Sequence, residues 1–274
     1  MTRAARTALV AVALLWLAVP LLPLVAWAAA DRWSFPDILP QEWGLRGWRE
    51  ASRAGLTGAM LTSLLLGAAV ATAATPLGVM AGRALGWRLL VRPRLVVGVL
   101  LLPLALPPFA ISMGLDVVLI RLGIPALLAV FLLLVVMATP YTAYTCAVGF
   151  ARTSPALGEQ ARALGATPGQ ARRRVILPAV RSSILVAAML AFLVGWSDYV
   201  VTLLVGGGTI VTAPLLLGSA ASGSGNEAQV AALALATLVP PVLLITAAGW
   251  LQSTRTDRPL PAAPHPSVEE RTAT

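Results

Sequence analysis

Lysine is missing from this 274-residue chain, and cysteine and histidine occur once each. Each scarcity excludes a class of chemistry. A phosphate-binding P-loop needs a lysine that reaches the β and γ phosphates. The chain has no such residue and no G-x-x-x-x-G-K-[ST] stretch, so it cannot itself be a P-loop ATPase. Cys146 alone makes neither an internal disulfide nor a cysteine metal cluster. His265 alone leaves no basis for a zinc or haem site built on His and Cys. Charge is also scarce: 11% of residues are charged and 58% are hydrophobic, with mean hydropathy +0.84. A soluble domain of this length carries about twice that share of charge.

What charge there is comes in clusters. The runs Thr7–Ala30, Ala54–Gly82, Leu95–Leu115, Leu122–Ala151, Ser182–Ser197, Tyr199–Asn226 and Ala228–Thr254 contain none. Roughly 20 apolar residues cross a hydrocarbon core of about 30 Å. Only helices and closed barrels satisfy the backbone there, and these runs are too long for barrel strands. The expectation is an all-α polytopic membrane protein with about six transmembrane helices, over 7–30, 57–82, 95–115, 124–150, 182–205 and 229–252. The run 199–226 is not a clean seventh, because Gly206-Gly207-Gly208 and Ser222-Gly223-Ser224-Gly225-Asn226 read as loop.

The net charge is +9, carried wholly by arginine. The arginines flank the spans, which argues against a nucleic-acid partner. Arg3 and Arg6 precede the first span. Arg83, Arg88, Arg92 and Arg94 follow the second. Arg152, Arg162, Arg172, Arg173, Arg174 and Arg181 lie between the fourth and fifth, and Arg255, Arg258 and Arg271 follow the sixth. The positive-inside rule places all four regions in the cytoplasm, so both termini are expected there. The first outer loop balances Arg32, Arg46, Arg49 and Arg53 against Asp31, Asp37, Glu42 and Glu50. The N-terminus has a second reading as a cleaved signal peptide ending near Ala26-Trp27-Ala28, but its apolar run exceeds the usual 7–15 residues.

Three segments are expected: a transmembrane helix and outer segment over 1–56, a five-span core over 57–252, and a disordered cytoplasmic tail over 253–274. Trp33, Trp43 and Trp48 suit a membrane interface, or a contact for an extracytoplasmic partner. Pro103, Pro107 and Pro108 must break or kink the third span. That break either lines a pathway or bends an ordinary span into a short outer helix over 109–121.

The most informative stretch is the polar, Arg-rich loop 154–178. Ser154-Pro155 suits a helix start. Leu157, Ala161 and Leu164 recur at i, i+4 and i+7, giving one apolar stripe. Gly165 suits the stop, Thr167-Pro168 a second start, and Pro178 an interruption before the fifth span. Two short helices with a bend at Gly165 are expected. The spacing is Glu159-x-Ala161, Gly165 six residues after Glu159, nine residues, then Val175-x-Leu177-Pro178. This resembles the cytoplasmic EAA loop of binding-protein-dependent, importer-type ABC transporter permeases. Thr62-Ser63-Leu64 and Pro76-Leu77-Gly78 are similar to that family's first core helix, so the resemblance covers roughly 57–252.

The resemblance implies an importer-type permease fold and a role for each matching position. The loop docks on a separate ABC ATPase subunit, which binds the ATP and Mg; no cofactor sits on this chain. Glu159 and Ala161 take the acidic and small positions, with Leu164 on the docking stripe. Gly165 is the glycine, Val175 the branched residue, and Leu177-Pro178 the closing pair. Gln160 departs from the usual Ala and Val175 from the usual Ile. The resemblance also implies a second permease, identical or related, an extracytoplasmic solute-binding protein, and residence in the bacterial inner membrane.

The solute is less legible. The fifth span carries Trp196, Ser197, Asp198 and Tyr199, and an ionisable residue within a span is a functional candidate. Asp198 lies about 25 Å along a helix from Arg181, in the outer half of the membrane. These four residues either receive a cationic, partly aromatic solute, or Asp198 bonds a helix terminus. Tyr141 and Tyr144 line the path or pack. Phe35-Pro36, Leu39-Pro40, Trp43, Leu45-Arg46 and Trp48 are similar to the polyamine, thiamine, iron and phosphonate branch, which makes a thiamine- or polyamine-like cation the expected solute. The rivals are a secondary transporter driven by an ion gradient, built around Asp198, and an intramembrane enzyme, for which the absence of Lys, the single Cys and the single tail His leave only Ser or Asp chemistry.

Overall fold

The computed structural model describes residues 3–34 and 36–253. The expected tail therefore lies outside the described residues beyond Ser253. The architecture is all-α apart from one short ribbon. The helices are α1 (Arg3–Ala18), α2 (Leu21–Ala28), α3 (Arg46–Arg53), α4 (Leu56–Gly86), α5 (Pro93–Ala105), α6 (Pro108–Arg121) and α7 (Ala126–Ala151). They continue with α8 (Ala156–Ala163), α9 (Pro168–Ala171), a π-helical turn (Arg172–Ile176), α10 (Leu177–Ser197), α11 (Val200–Val205), α12 (Ala213–Ala221) and α13 (Glu227–Ser253). Strands β1 (Ala30–Arg32) and β2 (Glu42–Trp43) pair antiparallel, with Ala30 opposite Trp43.

The core is α4, α7 and α10. Small residues let these backbones approach, as apolar helices in lipid require. A Cβ on Gly78 would overlap Thr142. One on Gly82 would lie 2.5 Å from the Cys146 Cβ, and one on Gly86 2.7 Å from the Phe150 Cβ. The register rises together on both helices, so α4 and α7 run parallel. A Cβ on Gly195 would lie 2.9 Å from the Gly67 Cα, and Gly149 backs onto Ser183, so α10 runs antiparallel to both. Leu66, Val70, Val130, Leu134, Ala191 and Val201 fill the middle. Half of the apolar window of α7 is buried within the chain, against 17–28% for α4, α10 (with the residues leading into it) and α13. α7 is thus the central helix, and the others turn apolar faces outward.

Among the described residues, four helices are long and apolar enough to cross a membrane, and a fifth crossing is made if α5 and α6, bent by 96°, count as one. The expected proline break in the span 95–115 falls at Leu106, extended before Pro107-Pro108, and α6 occupies the place of the short helix expected over 109–121. The expected spans are corrected in two places. The span 182–205 ends at Ser197, where Asp198 is extended and α11 restarts the chain. The span 7–30 divides at Val19-Pro20 into α1 and α2. α11 and α12 are short and joined through Gly206–Gly208, as a looped rather than spanning 199–226 segment requires.

The 30–53 segment folds onto the start of α13. A Cβ on Gly47 would strike Ala228 backbone, and Ala51, Trp48, Leu216, Ala232 and Leu233 share a cluster. Trp48 is therefore packing rather than a free interfacial anchor. Trp33 stacks on Trp27 at 4.5 Å, and its indole N–H donates to the Asp37 carbonyl at 3.0 Å. Asp31 pairs with Arg49 at 3.2 Å, and Arg32 with Glu42 at 3.2 Å.

Candidate functional site

The loop 154–178 is built by local signals. The Ser154 hydroxyl accepts from the Ala156 N–H at 3.2 Å, and Pro155 leads into α8. The helix ends in a Schellman motif. Gly165 N–H donates to the Arg162 carbonyl and Ala166 N–H to the Ala161 carbonyl, both at 3.0 Å, with Gly165 at φ +90°. A Thr167/Gln170 capping box opens α9: Gln170 N–H donates to the Thr167 hydroxyl at 3.3 Å, and Thr167 N–H to the Gln170 side chain at 2.9 Å. The bend at Gly165 is where the sequence places it.

The second half differs from expectation. Pro178 does not interrupt the chain: α9 passes through the π-helical turn directly into α10. Proline removes one donor and crowds the carbonyl four residues back. The wider turn over Arg172–Ile176, closed by Leu177 N–H on the Arg172 carbonyl, absorbs that crowding. One helical rod thus connects Pro168 to Ser197, so the second half of the loop is continuous with a core helix.

Leu164 is 90% exposed and Leu157 also turns outward, while Glu159 and Pro178 are exposed and Ala161, Val175 and Leu177 are half-buried. Of the Leu157/Ala161/Leu164 stripe, the two leucines face outward and Ala161 is partly covered. The opposite side anchors the loop. Gly158 is buried against Ile176, which joins Cys146, Phe150, Val180 and Ala187. Trp87 holds the junction: its indole N–H is shared between the Phe150 and Thr153 carbonyls at 3.0 and 2.9 Å, and its ring meets Phe150 edge-on at 5.2 Å. The sequence reading missed Trp87. Its signal was an indole directly after a long apolar run, hidden among the arginines that follow. A cleft of about 590 Å³ lies between the end of α4 and the loop, with Arg83, Trp87, Gly158, Glu159, Arg162 and Arg172 in its lining.

The other candidate cluster comes apart. Trp196 is buried, stacks on Phe192 at 5.9 Å, and donates its indole N–H to the Thr237 carbonyl at 3.2 Å. The Ser197 hydroxyl returns to the Leu193 carbonyl of its own helix at 2.6 Å. Asp198 caps α11, accepting from Val201 N–H at 3.3 Å and from the Thr202 N–H and hydroxyl at 2.8 Å each. Tyr199 packs beside Gly218 and is 39% exposed. Among the described residues, no group of three His, Cys, Asp or Glu is placed to hold a metal.

A family model described as "Binding-protein-dependent transport system inner membrane component" matches residues 74–254, which include the loop, its rod, the core helices α7 and α10, and α13. The chain belongs to this family. It is also similar to the trehalose transport system permease protein SugB of Mycobacterium tuberculosis (strain CDC 1551 / Oshkosh), at 28% identity over 192 residues. The match covers 68% of this chain and 69% of that one. The chain is therefore a multi-pass inner-membrane permease subunit of an ABC importer. Membership implies ATPase and solute-binding partners in general, and gives no preference to the ion-gradient alternative.

Proposed function

We propose that this permease couples to its ATPase through the 154–178 loop, and that α8 is the part that enters the partner. The observation carrying this is the combination of an exposed Leu157/Leu164 stripe with a continuous rod from Pro168 to Ser197. The ATPase binds ATP and Mg and closes. α8 moves with it, the rod tilts α10 against α4 and α7, and the pathway opens toward a solute-binding protein. Glu159, Ala161, Leu164 and Gly165 form the docking element, and Val175, Leu177 and Pro178 the transmission. A second permease, identical or related, completes the pathway, with both termini of this chain cytoplasmic. The test is retention of the ATPase by the detergent-solubilised permease. Glu159→Lys and Gly165→Asp should each lower retention at least about tenfold, about 1.4 kcal/mol of binding. Wild-type levels of ATPase on both variants would remove the loop from this role.

For the solute, a thiamine- or polyamine-like cation rests on Trp196, Asp198 and Tyr199 and on the branch similarity of the Phe35–Trp48 motif. The Asp198 carboxylate is engaged by α11, which leaves a cation without an obvious counter-charge there. The similarity to a trehalose permease favours a second reading, a neutral sugar. Labelled trehalose and labelled spermidine offered to cells with and without this chain distinguish the two. Chain-dependent uptake of spermidine alone would reject the sugar.

A further inference from the structure

We propose that the groove between the end of α4 and the start of the Pro168–Ser197 rod binds the headgroup of an anionic phospholipid. Two adjoining clefts, of about 590 and 300 Å³, share Arg83, Leu89, Arg172 and Ile176. The first adds Arg162 and Trp87, and the second adds the apolar Val79, Met80, Ala84 and Leu177. Arg83 and Arg172 thus stand where the two clefts meet, with a further arginine on one side and apolar side chains on the other, the sequence of charge and grease that a phospholipid presents. Arg83, Arg162 and Arg172 are all exposed, and among the described residues none has an acid within 4.0 Å. Glu159 is the one carboxylate in the lining. Three guanidinium groups against one acid leave an excess of positive charge, which the single charge of a phosphodiester offsets in part, and arginine is the side chain whose planar fork suits phosphate.

Position supports the same occupant. Arg83 is the first charge after the clean run Ala54–Gly82, so it sits where α4 leaves the apolar layer. Its guanidinium lies 4.9 Å over the Trp87 ring, which fixes its direction before any ligand arrives. Met80, one turn further into the apolar run, is 71% exposed and offers a track for an acyl chain. A lipid there would touch both α4 and the π-helical turn at Arg172, and so would sense the motion of the rod. The inference rests on membrane residence and on these side chains, not on the ATPase or solute readings.

The experiment is native mass spectrometry of the full-length permease in detergent, titrated with phosphatidylglycerol, phosphatidylcholine or inorganic phosphate. Wild type should retain phosphatidylglycerol at least about tenfold more than phosphatidylcholine. The double variant Arg83→Gln/Arg172→Gln should lose that preference, and so, in part, should Arg162→Gln, which lies on the exposed side of α8 and leaves the core untouched. Arg173→Gln/Arg174→Gln, neighbours absent from the groove lining, should keep it. Equal loss in the Arg173/Arg174 variant would reduce the effect to general basic attraction and overturn the site. Competition by inorganic phosphate at equal concentration would assign the arginines to a free anion instead. Unchanged lipid with lost ATPase in the groove variants would give the groove to the ATPase.

Discussion

At the scale of single residues, Gly165 shows how a backbone constraint separates from a steric one. Its φ is +90°, and a Cβ there would meet nothing within 4 Å. An alanine therefore fits in space and fails in conformation, at a cost of roughly 1–2 kcal/mol. Asparagine tolerates this region far better. Gly165→Ala should weaken ATPase retention, while Gly165→Asn should keep most of it. Equal retention by both would mean the bend is unimportant for docking. Gly165 was legible in the sequence because a helix stop of this kind has a residue signature. Trp87 was not, because its two acceptors are carbonyls at Phe150 and Thr153, more than 60 positions away, and no local spacing encodes them.

At the scale of elements, the sequence placed the apolar segments well and their ends poorly. α4 and α7 emerge within a few residues of the expected 57–82 and 124–150, since charge bounds them on both sides. Where no charge marks the end, proline or a cap decides, and only packing shows which. Pro178 lies inside a continuous rod because a π-helical turn accommodates it, whereas Leu106-Pro107-Pro108 breaks α5 from α6. Asp198 stood out in the sequence as an acid in an apolar run, and its two readings were a solute contact or a helix terminus. The structure has it capping α11, and this predicts a sharp contrast. Asparagine is about as good an N-cap as aspartate, while alanine loses about 1 kcal/mol. Asp198→Asn should transport near wild-type levels and Asp198→Ala should lower the unfolding temperature in detergent. Abolished uptake in a stably folded Asp198→Asn would instead establish a charge-dependent role in the pathway.

At the scale of the molecule, the parallel packing of α4 and α7 bears on how the chain between them returns across the apolar layer. Gly78, Gly82 and Gly86 meet Thr142, Cys146 and Phe150 in the same order, so both helices run the same way. The chain between them must return across the full apolar layer, and α5 with α6 is the segment available. At 1.5 Å per residue and a 96° bend, the pair reaches about 27 Å end to end, close to a hydrocarbon core of about 30 Å. The short links on either side supply the rest. The expectation is that 93–121 makes one bent crossing rather than a re-entrant loop. The prediction is testable on a nearly silent background, since the sole cysteine, Cys146, is fully buried. Single cysteines at Asp37, Leu122 and Ser222 should react with a membrane-impermeant maleimide in intact cells, while those at Arg92 and Gln160 should react only after lysis. If Leu122→Cys instead behaves like Arg92→Cys, α5 and α6 enter and leave by one side. The parallel register of α4 and α7 would then have no chain path to support it.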